Sequence, residues 1–233
     1  MSQTGEMTFW DHLEDLRTSI FRILTVFAVA VVALFFFKGF LFDSIILAPS
    51  KSDFFMYRLL SADFSMTLVN IEVAAQFLIH MKITFIMALI VTFPYIVFEI
   101  WRFILPALYE RERKVIRGAF AFASVLFYIG VVVGYSVVFP LMLNFFSGYQ
   151  VSPDIQNTFS LTSYISLFTS LVLTFGIVFE FPTVVAVLSS LGVVTKEGMR
   201  SFRKHAICAV LILAAVITPS GDPFSLMVVS VPL

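Results

Sequence analysis

Long apolar runs separated by short polar stretches set the pattern of this chain. Residues 23–37 are uncharged, residues 73–98 carry one formal charge (Lys82), residues 118–153 carry none, and residues 161–195 carry only Glu180. Two shorter runs follow, near 205–218 and 223–233. Read as helices, these runs predict six membrane spans, approximately 20–40, 73–103, 118–145, 161–187, 205–218 and 223–233, in one integral-membrane domain covering residues 1–233. At a rise of ~1.5 Å per residue, the 73–98 run alone is ~39 Å long, longer than the ~30 Å hydrocarbon core, so it must tilt, bend or project. The last run has eleven residues, too few to cross, and predicts either a chain cut inside its sixth span, the preferred expectation, or a half-span packed on the others.

The polar stretches carry their own signals. In residues 8–20, Phe9, Leu13, Leu16 and Ile20 recur at helical spacing with Asp11, Glu14 and Asp15 between them, and Thr8 is placed to cap. This predicts a short amphipathic helix on the membrane surface, or a solvated helix start with no role. Arg22 and Lys38 flank the first run and are expected to snorkel to opposite interfaces. The 41–71 loop is apolar enough to predict packed short helices. Pro94, Pro140 and Pro182 each follow a Phe in or at the end of a span, which predicts bent helices and a curved wall. Gly130 and Gly134 form a GxxxG spacing, expected to admit a neighbouring helix of this same chain.

Composition agrees with a membrane protein. Of 233 residues, 60 % are hydrophobic and 13 % charged, about half the charge of a soluble domain, and 29 are Phe. Zero net charge offers no global field for nucleic acid. Cys208 is the one cysteine, so no intrachain disulfide can form; it is expected to be a buried thiol. Glu6, Asp11, Glu14 and Asp15 stand where a signal peptide would be basic, so the first apolar run is expected to stay in the protein.

Charge asymmetry predicts orientation. On six spans, one side collects Arg17, Arg22, Arg102, Arg111, Arg113, Lys114, Arg117, Lys196, Arg200, Arg203 and Lys204, whereas the other holds Lys38, Lys51 and Arg58. Eleven against three puts the N-terminus and the 101–117 stretch in the cytoplasm.

The chain has no HExxH, P-loop, GxSxG or Cys/His cluster. His12, His80 and His205 lie far apart and read as structural or interfacial. Glu14, Asp15, Glu110 and Glu112 are interfacial carboxylates near aromatic residues such as Phe103, a pattern suited to accepting guanidinium groups in pairs. Glu110 and Glu112 can equally pair with Arg111, Arg113 and Lys114 on a solvated face. Glu180, amid apolar residues, must face protein or water if it lies deep, at a cost of ~2.5 kcal/mol or more, unless it sits near the cytosolic edge.

Four motifs, HLEDLR (12–17), FEIWRFILPALYERERK (98–114), FGIVFEFP (175–182) and ITPSGD (217–222), resemble those of the TatC family, the large subunit of the twin-arginine protein translocase, in order and spacing over nearly the whole chain. The resemblance implies an all-α polytopic protein with six transmembrane helices in a cupped, glove-like arrangement. It implies a receptor for twin-arginine signal peptides in the bacterial inner membrane, oligomeric with TatA- and TatB-type single-span partners. Such a complex moves folded proteins across using the proton gradient, without cofactor or nucleotide and without being an enzyme. By position, Glu112 would be the main carboxylate for the signal-peptide arginines, beside Phe103. The family's second acid falls at Asp15, one methylene shorter than the usual Glu, and Glu14 or Glu110 could share its task. Glu180 matches the intramembrane acid of the concave face, Pro49 a proline of the first periplasmic loop, Asp222 an acid of the last, and Thr218 a polar position near the partner-helix site. The family's TPPD turn is TPSGD here, and a common Gln of the sixth span is Leu226.

Two other classes remain as alternatives at this point. One is a small-solute secondary transporter using Glu180 and Lys82 as coupling charges, though no inverted repeat supports it. The other is a membrane enzyme, which lacks a clustered catalytic set.

Overall fold

A computed structural model of the chain describes residues 9–60, 64, 66–107, 110–152, 154, 157–190, 192, 194, 198, 200, 203–217 and 223–230. The described residues are mostly helical, and four helical stretches, His12–Phe36, Ala75–Ile104, Arg117–Gly148 and Leu161–Ser190, are long and apolar enough to cross a membrane. This is a polytopic all-α architecture. Among the described residues, a two-residue parallel pair, β1 (Leu68–Val69) on β2 (Phe159–Ser160), ties two loops together.

The first helix, α1, runs unbroken over Phe9–Phe36. Of the two expectations for residues 8–20, the described residues 9–20 fit the start of a longer helix rather than a separate surface helix, and Thr8 lies outside the described residues. The acidic residues interrupt the apolar pattern without interrupting the helix, because backbone hydrogen bonding does not depend on which solvent a side chain meets. A π-helical turn follows at Phe40–Ile46, then a 3-10 turn at Ala48–Ser50 and α2 (Phe55–Leu60).

Helix α3 (Ala75–Ile104) lies antiparallel to α1. Their ring contacts descend in order, His12 on Phe103, Phe27 on Phe85 and Phe35 on His80. Pro94 sits inside α3 without ending it. Helix α4 (Glu110–Val133) passes through a π-helical turn, Gly134–Val138, into α5 (Phe139–Gly148). Pro140 enters within the first two positions of α5, where its missing N–H is tolerated. Helix α6 (Leu161–Phe179) stops at Glu180, and α7 (Phe181–Ser190) restarts with Pro182 as its second residue. The proline cannot donate back to the preceding turn, so the helix breaks there. Two short helices complete the described chain, α8 (Arg203–Ile217) and α9 (Pro223–Ser230). At 15 and 8 residues, both are shorter than the ~17 that a crossing needs.

The centre of the molecule is where α4 meets α6. A Cβ on Gly130 would overlap the Phe175 carbonyl, and one on Gly134 would stand 3.1 Å from Phe175 Cβ. Opposite them, Gly176 receives the Phe127 ring, whose Cε2 would lie 2.8 Å from an added Cβ. The GxxxG spacing thus serves packing within the chain. In lipid, apolar burial gives little drive for helices to associate, so this close contact is what holds the pair. Phe127, Phe139, Phe168, Leu171 and Phe175 are fully buried around it.

Three tyrosines pin the first loop. The hydroxyls of Tyr135, Tyr164 and Tyr57 donate to the carbonyls of Ile45 (2.8 Å), Ile46 (2.7 Å) and Pro49 (2.7 Å). These carbonyls lie at and just beyond the end of the π turn, where the backbone has no helical donors left. Cys208 is exposed on α8, contrary to the expectation of a buried thiol. An apolar run faces lipid as readily as protein, so its composition does not say which side is inside.

Candidate functional site

The polar ends of α1 and α3 meet at one end of the antiparallel pair. His12 stacks on Phe103 with ring centroids 4.4 Å apart and planes at 20°. Phe103 belongs to the last turn of α3, and Glu14 and Asp15 are exposed on the neighbouring turn of α1. Helix α4 begins at Glu110, which puts Glu110 and Glu112 in its first turn, where the helix dipole favours negative charge. The side chains of Glu110 and Glu112 lie outside the described residues.

A second carboxylate cluster lies beside this one, and sequence reading missed it. Glu99 is buried, with its side chain 2 % exposed; its Oε2 accepts from Arg22 Nε at 3.2 Å and lies 3.1 Å from Arg22 Nη2 in an ion pair. Tyr95 Oη donates to the other oxygen, Oε1, at 2.9 Å. Arg22 Nη2 also donates to Ser19 Oγ at 3.2 Å. Arg22 was expected to snorkel to headgroups; it turns inward to Glu99 instead, because a buried carboxylate left alone is far costlier than an arginine drawn out of the interface. A local signal existed. Tyr95, Glu99 and Phe103 recur every four residues on α3 and so share a face.

Glu180 occupies the junction between α6 and α7, inside the apolar stretch Leu161–Ser190. Its Oε1 is buried without a hydrogen-bond partner, as is Thr183 Oγ1, and Thr183 and the Phe127 backbone lie beside the carboxylate. Pro49 is buried in the first loop and serves there as the acceptor for Tyr57. Thr218 and Asp222 lie outside the described residues. Leu226 is half-buried on α9. His80 stacks on Phe35, and its Nε2 is buried without a partner. No group of three His, Cys, Asp or Glu among the described residues could hold a metal ion.

The structure thus brings Phe103 to the acidic turn of α1. Such a site can bind cations at its surface.

Comparison with known proteins identifies the family. The family described as "TatC: Sec-independent protein translocase protein (TatC)" matches residues 11–232. A Sec-independent protein translocase protein TatC from Blattabacterium sp. subsp. Periplaneta americana is 35 % identical over 247 residues, covering 100 % of this chain and 92 % of the relative. One from Listeria innocua is 32 % identical over 227 residues, covering 97 % of this chain and 87 % of the relative. Two crystal structures of the twin arginine translocase receptor TatC, one in DDM, superpose with TM-scores of 0.75 and 0.78 at 29 % identity. Each covers 95 % of this chain, and the chain covers 92 % and 93 % of theirs. These relatives are components of a protein transport system, not enzymes, which removes the small-solute transporter and the membrane enzyme as alternatives. By sequence over its whole length and by fold, the chain belongs to the TatC family of Sec-independent protein translocase proteins.

Proposed function

We propose that the chain is the core receptor subunit of a twin-arginine translocase, binding signal peptides at its cytosolic face. Two adjacent arginines of the peptide are held by carboxylates at the cytosolic edge, with Glu112 the principal acceptor and Asp15, Glu14 and Glu110 around it. Phe103 supplies an apolar wall for the segment that follows the arginines. Guanidinium is planar and can bond a carboxylate through two parallel donors, so lysine is a poor substitute there. The observation that carries this reading is the stack of His12 on Phe103, which draws the end of α3 against the acidic turn of α1.

The wider reading has six spans forming a cupped wall in the bacterial cytoplasmic membrane, with the N-terminus inside the cell as the Lys and Arg asymmetry favours. TatA- and TatB-type single-span proteins join it in an oligomeric complex that moves folded cargo using the proton gradient. Thr218 serves contact with a partner helix, and Pro49 and Asp222 shape the outer loops. Glu180, with Thr183, brings polarity into the apolar wall, hydrating it or polarising a partner helix.

Binding of a labelled signal peptide to the purified protein tests the reading. Arg-Arg and Lys-Lys peptides are compared on wild type and Glu112→Gln. A strong Arg-Arg preference that Glu112→Gln abolishes is the expected result; unchanged binding by Glu112→Gln removes that residue from the role.

A further inference from the structure

We propose that Arg22 and Glu99 form a positioning latch that fixes the register of α1 against α3 and thereby sets the preference for arginine over lysine in the signal peptide. This rests on the receptor reading above.

The argument begins with helical faces. His12, Asp15, Ser19 and Arg22 are spaced by three, four and three residues, so they lie on one stripe of α1. Tyr95, Glu99 and Phe103 lie on one stripe of α3. The two stripes meet at His12 on Phe103 and at Ser19–Arg22 on Glu99. Asp15 lies between those two contacts along the stripe and is exposed.

Only 6 % of the α1 apolar window is buried, and two further ring contacts join it to α3, a tilted pair of Phe27 with Phe85 and a stack of Phe35 on His80. Apolar surfaces in lipid slide or roll at small cost, since lipid tails replace the lost contacts. A buried ion pair does not. Any register that parts Arg22 from Glu99 leaves a charge that is 2 % exposed without its partner. This directional contact makes one register much better than its neighbours.

Register matters more to arginine than to lysine. Paired N–H···O bonds between a guanidinium and a carboxylate require the acceptors at fixed spacing and angle, whereas an ammonium is a point charge that tolerates displacement. Loosening α1 should therefore weaken Arg-Arg binding while changing Lys-Lys binding little.

The test uses the full chain in detergent, with Arg-Arg and Lys-Lys peptides, on wild type, Glu99→Gln, Arg22→Gln and the double variant. Arg22 is 37 % exposed and can turn to water, so Glu99→Gln leaves no stranded charge. The expected result is about a fivefold loss of Arg-Arg affinity in each single variant, with Lys-Lys affinity within about twofold of wild type. The double variant should be no worse than either single one, as for partners in one interaction. Equal loss for both peptides, additive losses, or an unchanged Arg-Arg preference overturns the latch. A fourth arm separates this from failure of the receptor reading. If Glu112→Gln leaves binding intact, the site assignment fails, and the latch is judged instead by spin-label distances between positions 16 and 106 in a Cys208→Ser background. Broadening of that distance in Glu99→Gln supports the latch, and an unchanged distribution overturns it.

Discussion

The Tyr128 hydroxyl donates to the Ile90 carbonyl at 3.1 Å, the acceptor that Pro94 leaves without its helical donor four residues on. A proline inside a membrane helix exposes one carbonyl in a medium without water, and here a side chain of the adjoining helix fills the vacancy. Tyr128→Phe should lower stability by about 1 kcal/mol, within the range for hydrogen bonds between membrane helices. In a Pro94→Ala background, where Ile90 regains its helical donor, the same change should cost less. Thermal melting of the four proteins in detergent checks this, and an equal cost in both backgrounds would count against it.

The seam between α4 and α6 predicts an order of damage. Gly130→Ala drives a methyl into the Phe175 backbone, whereas Gly134→Ala would meet Phe175 Cβ at 3.1 Å and the Leu171 carbonyl at 3.3 Å, which need give by only a few tenths of an ångström. Gly130→Ala should cost about 1–3 kcal/mol and Gly134→Ala less. The melting temperatures should rank wild type, Gly134→Ala, Gly130→Ala, and a reversal would mean that the seam is not packed as described.

Tyr57 makes stability depend on alkaline pH. Burial raises its phenol above the ordinary value of 10.0, because the folded site disfavours the phenolate. Below pH 10 the phenol is neutral folded and unfolded and adds no slope. Above it the unfolded chain ionises first, so this contribution is lost as pH rises toward the folded value. Tyr57→Phe should be less stable at pH 8, lacking the bond to the Pro49 carbonyl, and should lose less on going to pH 10.5. The measurement is the melting difference between the two proteins across that range, and a constant difference would remove Tyr57 as the source.

Glu180 invites a comparison of stability with transport. Its Oε1 is buried without a hydrogen bond of ordinary geometry, and only Thr183 and the Phe127 backbone stand beside the carboxylate to offset its burial. Glu180→Leu should melt at or above the wild-type temperature while transport of a twin-arginine cargo in a complemented host falls. A clear loss of thermal stability with intact transport would make Glu180 a structural residue.

Parts of this structure were legible because the membrane enforces them. The runs that became α1, α3, the α4–α5 stretch and α6–α7 show in the sequence because a bilayer demands uninterrupted apolar length. The Gly130–Gly134 seam showed because close helix approach admits few residue types. What stayed hidden depends on distant partners. Arg22 and Glu99 are 77 residues apart, and each alone reads as an interfacial charge. The Ile90 carbonyl filled by Tyr128 was invisible for the same reason. The continuity of α1 through Asp11, Glu14 and Asp15 was left open between a surface helix and a helix start, because polarity marks a change of surroundings and not a boundary of structure. At the candidate site, Phe103 and Asp15 were singled out from motif position, and the stack of His12 on Phe103 was not.

The sparse packing of α1 also bears on how the protein is made. Helix α1 has 6 % of its apolar window buried, against 44 % for the stretch Arg117–Gly148. A nascent α1 leaving the ribosome needs no helical neighbour to be at home in the bilayer and can partition into it alone, before α3 has been translated. Its Arg22 then waits at the interface, and the partner carboxylate arrives only when the Glu99 codon has been read and α3 has inserted. Assembly of the first hairpin is thereby reported by a single electrostatic event, and a chain arrested between α1 and α3 would remain a single anchored helix.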